Sequence, residues 1–208
     1  MEEKFKIYNK FIKRILDVII SIIGLILSLP ITLILVPILY LTQGRPILFS
    51  QIRIGLNSKK FKMYKFRTMK KNAENLIENF TEKERKEYEE NFKLKNDARV
   101  TKIGKVLRKT CIDEIPQFLN ILKGDMTLIG PRPIVEKEIE KYNNVDKQKL
   151  LKQKPGLIGY WQVYANKNTT YEKRKEMELY YVDNANFFFD IKIFLKSIAT
   201  IIWKLFAN

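Results

Sequence analysis

The stretch ILDVIISIIGLILSLPITLILVPILYL, residues 15–41, decides what kind of fold the chain can adopt. Asp17 is its only charge. At about 1.5 Å per residue a helix of this length reaches about 40 Å, more than the roughly 30 Å of a bilayer's hydrocarbon core. It is too long for a signal-peptide core, and no small-residue cleavage site follows. One reading is a single transmembrane span. Two features favour a helix that dips into the membrane and returns. Both flanks are basic, with Lys4, Lys6, Lys10, Lys13 and Arg14 before the run and Arg45, Arg53, Lys59, Lys60, Lys62, Lys65 and Arg67 after it. The positive-inside rule keeps both ends on the cytoplasmic side. Pro30, near Ser28 and Gly24, removes a helix hydrogen bond and predicts a kink, with the Ser28 hydroxyl available to a freed carbonyl. Prolines are also tolerated in true spans, so the residues alone leave both readings open.

The remainder is long enough for one domain with a real core: the chain has 208 residues and a net charge of +16. Such a balance implies an anionic partner: nucleic acid, an anionic membrane or phosphorylated substrates. A lone cysteine excludes an internal disulfide and fits a reducing compartment. There is no histidine, which excludes Ser-His-Asp catalysis and His-ligated zinc. Chemistry must fall to carboxylates, Lys, Arg, Tyr or Cys111.

Carboxylates stand out in Arg108-Lys-Thr-Cys111-Ile-Asp113-Glu114-Ile-Pro116, ahead of the apolar run 118–122 and the stop Lys123-Gly124. The pattern predicts a helix that starts at the acids, with Asp113 as its N-cap, Pro116 in its first turn and Gly124 just past its end. Anions and their metals are stabilised at that end of a helix. Adjacent helical residues point about 100° apart, so one carboxylate can attack while the other holds a cation. Taken alone, the pair reads first as a structural cap, since caps of this kind are common.

Around this stretch, 47–55 and 61–66 read as strands joined by the turn 56–59. Lys65 and Arg67 lie either on a solvated face or towards a phosphate. Residues 70–95, dense in Glu and Lys, read as one or two amphipathic surface helices covering the core, with Leu76, Ile77, Phe80, Tyr88 and Phe92 spaced for one face. A short apolar segment, 126–129, leads to Gly130-Pro131-Arg132-Pro133. Two prolines stiffen the backbone at Arg132, so its guanidinium can be aimed at little ordering cost, as bidentate phosphate binding requires. The glycine-punctuated loop 154–162 lines a pocket or packs at the membrane interface. Residues 187–206 read as an interfacial amphipathic helix, with Lys192, Lys196 and Lys204 on one face and Phe187, Phe188, Phe189, Phe194, Trp203 and Phe206 for the acyl boundary.

Seven motifs in order then resemble the bacterial sugar transferases, the monotopic phosphoglycosyl transferases. They are Lys13–Asp17 (KRILD), 64–69 (YKFRTM), 107–117 (LRKTCIDEIPQ), 122–126 (LKGDM), 129–133 (IGPRP), 155–159 (PGLIG) and 180–184 (YYVDN). The resemblance covers nearly the whole chain. It implies Mg²⁺-dependent transfer of a sugar phosphate from a UDP-sugar to undecaprenyl phosphate, with release of UMP. It also implies that Asp113 is the nucleophile of a phosphosugar–aspartyl intermediate, that Glu114 helps hold Mg²⁺, and that Arg108 and Arg132 face the substrate phosphates. A re-entrant membrane helix broken at a Ser-Pro step is implied as well. Here Leu29 separates Ser28 from Pro30, and Cys111 stands where a serine is usual. The stretch from Gly159 to Arg174 resembles the hexose-phosphate members more than the acetamido-sugar members, which implies a hexose such as galactose or glucose ahead of an N-acetylhexosamine.

The fold expected is therefore α+β and mainly helical. Residues 1–44 form a re-entrant membrane helix with its basic flank, and residues 45–208 form a catalytic domain on the cytoplasmic face of the inner membrane. The chain reads as the catalytic unit, without the extra N-terminal membrane helices of some larger relatives. Expected partners are the UDP-sugar, the polyprenyl phosphate and membrane phospholipids, with a homodimer allowed and no nucleic acid. The competing reading is a non-catalytic, membrane-tethered module for anionic lipid or nucleic acid. It accounts for the charge but not for paired acids beside an arginine held between prolines. A Cys111 nucleophile lacks a histidine to activate it.

Overall fold

The structure is a computed structural model that describes residues 8–92, 94–166 and 168–206. Lys4 and Lys6 of the basic flank lie outside the described residues, as do the side chains of Lys10, Lys204 and Phe206. The chain is mainly helical, with two small sheets. After a π-helical turn, Tyr8–Ile12, the apolar run forms one helix, α1 (Lys13–Gln43). It stays helical through Pro30 and through a second proline, Pro37. The Ser28 hydroxyl donates to the Leu25 carbonyl at 3.0 Å. That is one residue short of the Ile26 carbonyl whose helical donor Pro30 removes.

The predicted hairpin is present: β1 (Leu48–Ile54) pairs antiparallel with β2 (Lys60–Phe66), in the register Leu48 opposite Phe66. The charged excursion contains a single α-helix, α2 (Glu82–Asn91), started by a Thr81–Glu84 capping box and burying no side chain. A 3-10 turn, Asn75–Ile77, precedes it. Its aromatics serve as platforms for cations, since the Arg99 guanidinium lies over the rings of Phe80 and Tyr88.

Then come α3 (Lys102–Thr110), α4 (Gln117–Lys123) and β3 (Thr127–Ile129). Two short helices follow, α5 (Glu136–Ile139) and α6 (Asn144–Leu151). β4 (Gly156–Ile158) pairs parallel with β3, so the loop predicted at 154–162 contains a strand and then α7 (Tyr160–Tyr164). The chain ends with α8 (Tyr171–Asn184) and α9 (Phe187–Phe206). The main core gathers Ile121, Met126, Leu128, Ile134, Tyr181 and Ile193 between these elements.

α1 is part of that body along its whole length. Near its start Lys13 forms a buried ion pair with Asp190 of α9 at 2.7 Å, joined by the hydroxyls of Tyr8 and Tyr181. Arg14 donates to the Ile121 and Leu122 carbonyls at the end of α4. Asp17, the one charge in the apolar run, accepts from the Thr127 hydroxyl and the Leu128 N–H. In its last turns Leu35 and Leu39 pack with Phe66 and Leu107 in a second apolar cluster. The opposite face of α1 exposes Ile19, Ile23, Leu27, Leu33, Ile34 and Leu41. α9 likewise turns Phe188, Leu195, Ile198 and Trp203 outward. Phe189 and Phe194 instead pack against the core, so they are not part of the outward face expected of them.

Candidate active site

α3 ends at Cys111, which takes a left-handed φ of 58° and closes its N–H on the Leu107 carbonyl. Five residues, 112–116, remain before α4, and the first three, Ile112–Glu114, form a 3-10 turn. This corrects the expected cap. Asp113 does not start a helix; α4 begins at Gln117 behind Pro116, and its seven residues end at Gly124 in the left-handed region, as predicted. The acids sit in a tight bend between two helices, held by the bonds from Glu114 N–H to the Cys111 carbonyl and from Ile115 N–H to the Ile112 carbonyl.

β2 brings Lys65 to this bend. Its Nζ donates to Glu114 Oε1 at 2.6 Å and lies 3.8 Å from Asp113 Oδ2. α3 brings Arg108, whose Nε donates to the Thr68 hydroxyl at 2.9 Å while the residue remains exposed. That placement depends on Gly104, one turn earlier. A Cβ there would stand 2.0 Å from the Thr68 carbonyl oxygen, so only glycine lets α3 approach the strand end this closely.

Asp113 is 5% exposed. Burial pushes its carboxyl up to about 6, the neighbouring Glu114 adds to the rise, and Lys65 and then Arg108 oppose it. At neutral pH it is a desolvated carboxylate between two cations.

Arg132 comes from the other side of the site and is close enough for Glu114 to act on its charge. Its aim owes more to two buried carboxylates than to its prolines. Glu178 accepts its backbone N–H, and Glu138 Oε1 lies 3.4 Å from its Nη1. Glu138 also receives Arg174 at 2.8 Å and Arg53 at 3.6 Å. Three arginines thus share one glutamate, with Glu178 close by, and Arg132 is the most exposed of the three. Nothing in the spacing of Arg53, Glu138, Arg174 and Glu178 announces this cluster.

Arg67 is placed differently. It is buried, and its Nη2 donates to the Gln43 and Gly44 carbonyls, capping the end of α1, while its Nε and Nη1 have no partner. The structure therefore gathers Lys65, Arg108, Asp113 and Glu114, brings Arg132 within electrostatic reach, and turns Arg67 to the end of α1. Ser28 and Pro30 lie within α1 and belong to its helix geometry.

Among the described residues no three side chains of metal-ligating type converge. Asp113 and Glu114 are hard oxygen donors, and Mg²⁺ commonly takes one or two carboxylates and completes its shell with substrate phosphates and water. The donor set fits that ion.

The sequence profile of the family described as bacterial sugar transferase matches residues 8–204. The chain belongs to the bacterial sugar transferase family. It is 39% identical over 197 residues to an undecaprenyl-phosphate galactose phosphotransferase of Salmonella typhimurium, a match that covers 91% of this chain and 40% of that protein. It is 40% identical to the galactosyl transferase CpsE of Streptococcus agalactiae, over 96% of this chain and 44% of the relative. The exopolysaccharide production protein ExoY of Sinorhizobium fredii is 38% identical, over 91% of this chain and 84% of its own length. The chain thus spans about two-fifths of the first two relatives and most of the third.

Proposed function

We propose that the chain moves a sugar-1-phosphate from a UDP-sugar to undecaprenyl phosphate, as the first step of building a surface polysaccharide. The observation that carries this reading is Asp113: a buried carboxylate 3.8 Å from a lysine, with Arg108 near enough to act on it. Asp113 Oδ attacks the sugar-bearing phosphorus, and the P–O bond to the uridylyl phosphate breaks, so UMP leaves with that oxygen. An oxygen of the polyprenyl phosphate then attacks the same phosphorus. The acyl-phosphate bond breaks, Asp113 regains its carboxylate and the product is a polyprenyl diphosphosugar. Neither step needs a histidine.

Such transfers depend on positioning and charge neutralisation. Arg108 and Arg132 would face the donor phosphates, Lys65 would share them with the acids, and Arg67 could contribute only its unpartnered Nε and Nη1. Glu114 would help hold Mg²⁺, which masks phosphate charge and polarises the P–O bonds when bound. A hexose phosphate, galactose or glucose, is the favoured cargo, in keeping with the galactose in the names of two relatives.

We infer placement on one membrane face from the ties of α1. Its first turn is tied to Asp190 and its last to Arg67, both on the same charged body. These ties lie about 45 Å apart along the helix. A straight crossing would place them in opposite leaflets and drag that body's charges through hydrocarbon. We therefore read α1 as entering the cytoplasmic leaflet of the inner membrane and leaving on the same side. A cysteine at position 2 should resist labelling from the outside; efficient external labelling would overturn this.

The decisive experiment for the chemistry is mass spectrometry of the enzyme with UDP-galactose and Mg²⁺ alone. A phosphohexose should appear on the peptide bearing Asp113, and Asp113→Asn should abolish both the adduct and UMP release while membrane association persists. Product formation with no adduct on that peptide, or turnover by Asp113→Asn, would refute it.

A further inference from the structure

Asn120 is fully buried in α4, and the catalytic reading so far gives it no part. Its side chain does what a third strand would do for β2. β1 occupies one edge of β2; at the other edge the Tyr64 N–H donates to Asn120 Oδ1 at 3.0 Å, and Asn120 Nδ2 donates to the Lys62 carbonyl at 2.6 Å. The partners fix the amide's orientation, because one is only a donor and the other only an acceptor. The Asn120 backbone carbonyl meanwhile accepts from Asp125 and Met126 as the chain leaves α4. One carboxamide thus sets the register between α4 and β2.

That register matters because the two elements carry opposite halves of the site. Lys65 follows Tyr64 directly in β2. Glu114 and Asp113 precede α4 through a continuous ladder of short-range bonds: Ile115 to Ile112, Phe118 to Ile115 and Leu119 to Pro116. With Pro116 inside it, this ladder is a stiff lever from Asn120 to the acids. A shift of α4 along β2 is therefore transmitted to the 2.6 Å and 3.8 Å distances between Lys65 and the two carboxylates.

We propose that Asn120 is a positioning residue for the transfer reaction, setting the Lys65–Glu114–Asp113 geometry by standing in for a missing strand. This rests on the assignment of Asp113 as nucleophile. Asn120→Asp keeps the shape and the acceptor for Tyr64 but loses the donor to Lys62, whose carbonyl would then face a carboxylate. The full chain in detergent or lipid nanoparticles should form its phosphosugar adduct roughly 10- to 100-fold more slowly in a single turnover, the scale on which misplacement by about 1 Å acts. The KM for UDP-galactose should change far less than this rate.

The discriminating measurement is a double-mutant cycle with Lys65→Met. If Asn120 acts through Lys65, adding Asn120→Asp to Lys65→Met should slow the reaction no more than about threefold further. Equal penalties with and without Lys65, at matched folded fractions, would overturn the proposal. Asn120→Gln is the second variant: it keeps both bonding groups but moves α4 by a methylene, and the same non-additivity is expected. Failure of both variants to fold would assign Asn120 to the core alone. Product formation without an adduct on Asp113 would sink the nucleophile assignment instead, and the cycle would still be readable from UMP release.

Discussion

Replacing Gly104 by alanine tests whether the approach of α3 to the strand end sets the site. On an exposed helix the change would gain about 1 kcal/mol, because glycine is the poorer helix former by that amount. Here the new Cβ would lie 2.0 Å from the Thr68 carbonyl oxygen, 2.8 Å from its carbon and 2.9 Å from the Thr101 hydroxyl. Contacts below 3.0 Å are essentially never made, so α3 must retreat by about an ångström against the backbone. Overpacking of this kind costs about 1–3 kcal/mol, enough to cancel or exceed the helix gain. The retreat also threatens the capping bond from Gly104 N–H to the Thr101 hydroxyl and the bonds from Thr101 to the Thr68 carbonyl. Arg108 moves with the helix and loses its 2.9 Å bond to the Thr68 hydroxyl. Net stability should fall by up to about 2 kcal/mol, and adduct formation should slow roughly 100-fold, as for a comparable misplacement elsewhere. Thermal unfolding and single-turnover adduct formation measure the two effects. A Gly104→Ala protein with unchanged turnover and a raised melting temperature would show that the helix gain won and that Thr68 does not fix Arg108.

The buried clasp between α1 and α9 makes a stability prediction. Asp190→Asn leaves Lys13 as a buried, unpaired cation and should cost about 3–5 kcal/mol, whereas replacing both partners by apolar residues, Lys13→Met with Asp190→Leu, should recover most of it; chemical denaturation in detergent distinguishes the two. Glu178 gives a pH prediction, since burial raises its carboxyl from the ordinary 4.5 to about 7, against Arg174 and the Arg132 N–H. Between those values the unfolded chain has lost a proton that the fold retains, so stability should decline as pH rises through that window. Glu178→Gln should flatten that part of the profile; an unaltered slope would mean that Glu178 is ionised throughout.

What the sequence made legible was local. The hairpin is bounded by a polar turn, α4 stops at a glycine, and the acids and Arg108 share a single short motif, so periodicity and punctuation placed them. The N-cap assignment failed because of what precedes the acids. Cys111 ends α3 only two residues before Asp113, and the bend leaves no room for a capping geometry. Asp17 stands alone among apolar residues, and the partner that explains it there is the β3 edge, 110 residues away. Glu138, Glu178 and Asn120 gave no signal, being ordinary polar residues in ordinary helical segments until the fold closed around them.

The same distinction separates the residues proposed to meet substrate from those that aim them. Lys65, Arg108 and Arg132 carry charge that a phosphate needs, and their types are readable in isolation. Each is held by a neutral or oppositely charged group: Thr68, 40 residues away, for Arg108; Glu138, six residues on, and the more distant Glu178 for Arg132; and the two acids themselves for Lys65. A phosphate arriving at the site would compete with Glu114 for Lys65 and with Glu138 for Arg132. Lys65 would exchange a 2.6 Å bond, but Arg132 only a 3.4 Å contact to a carboxylate already occupied by Arg174. Arg132 is therefore the cheaper cation to redirect, and the site is built so that the guanidinium between the prolines yields first.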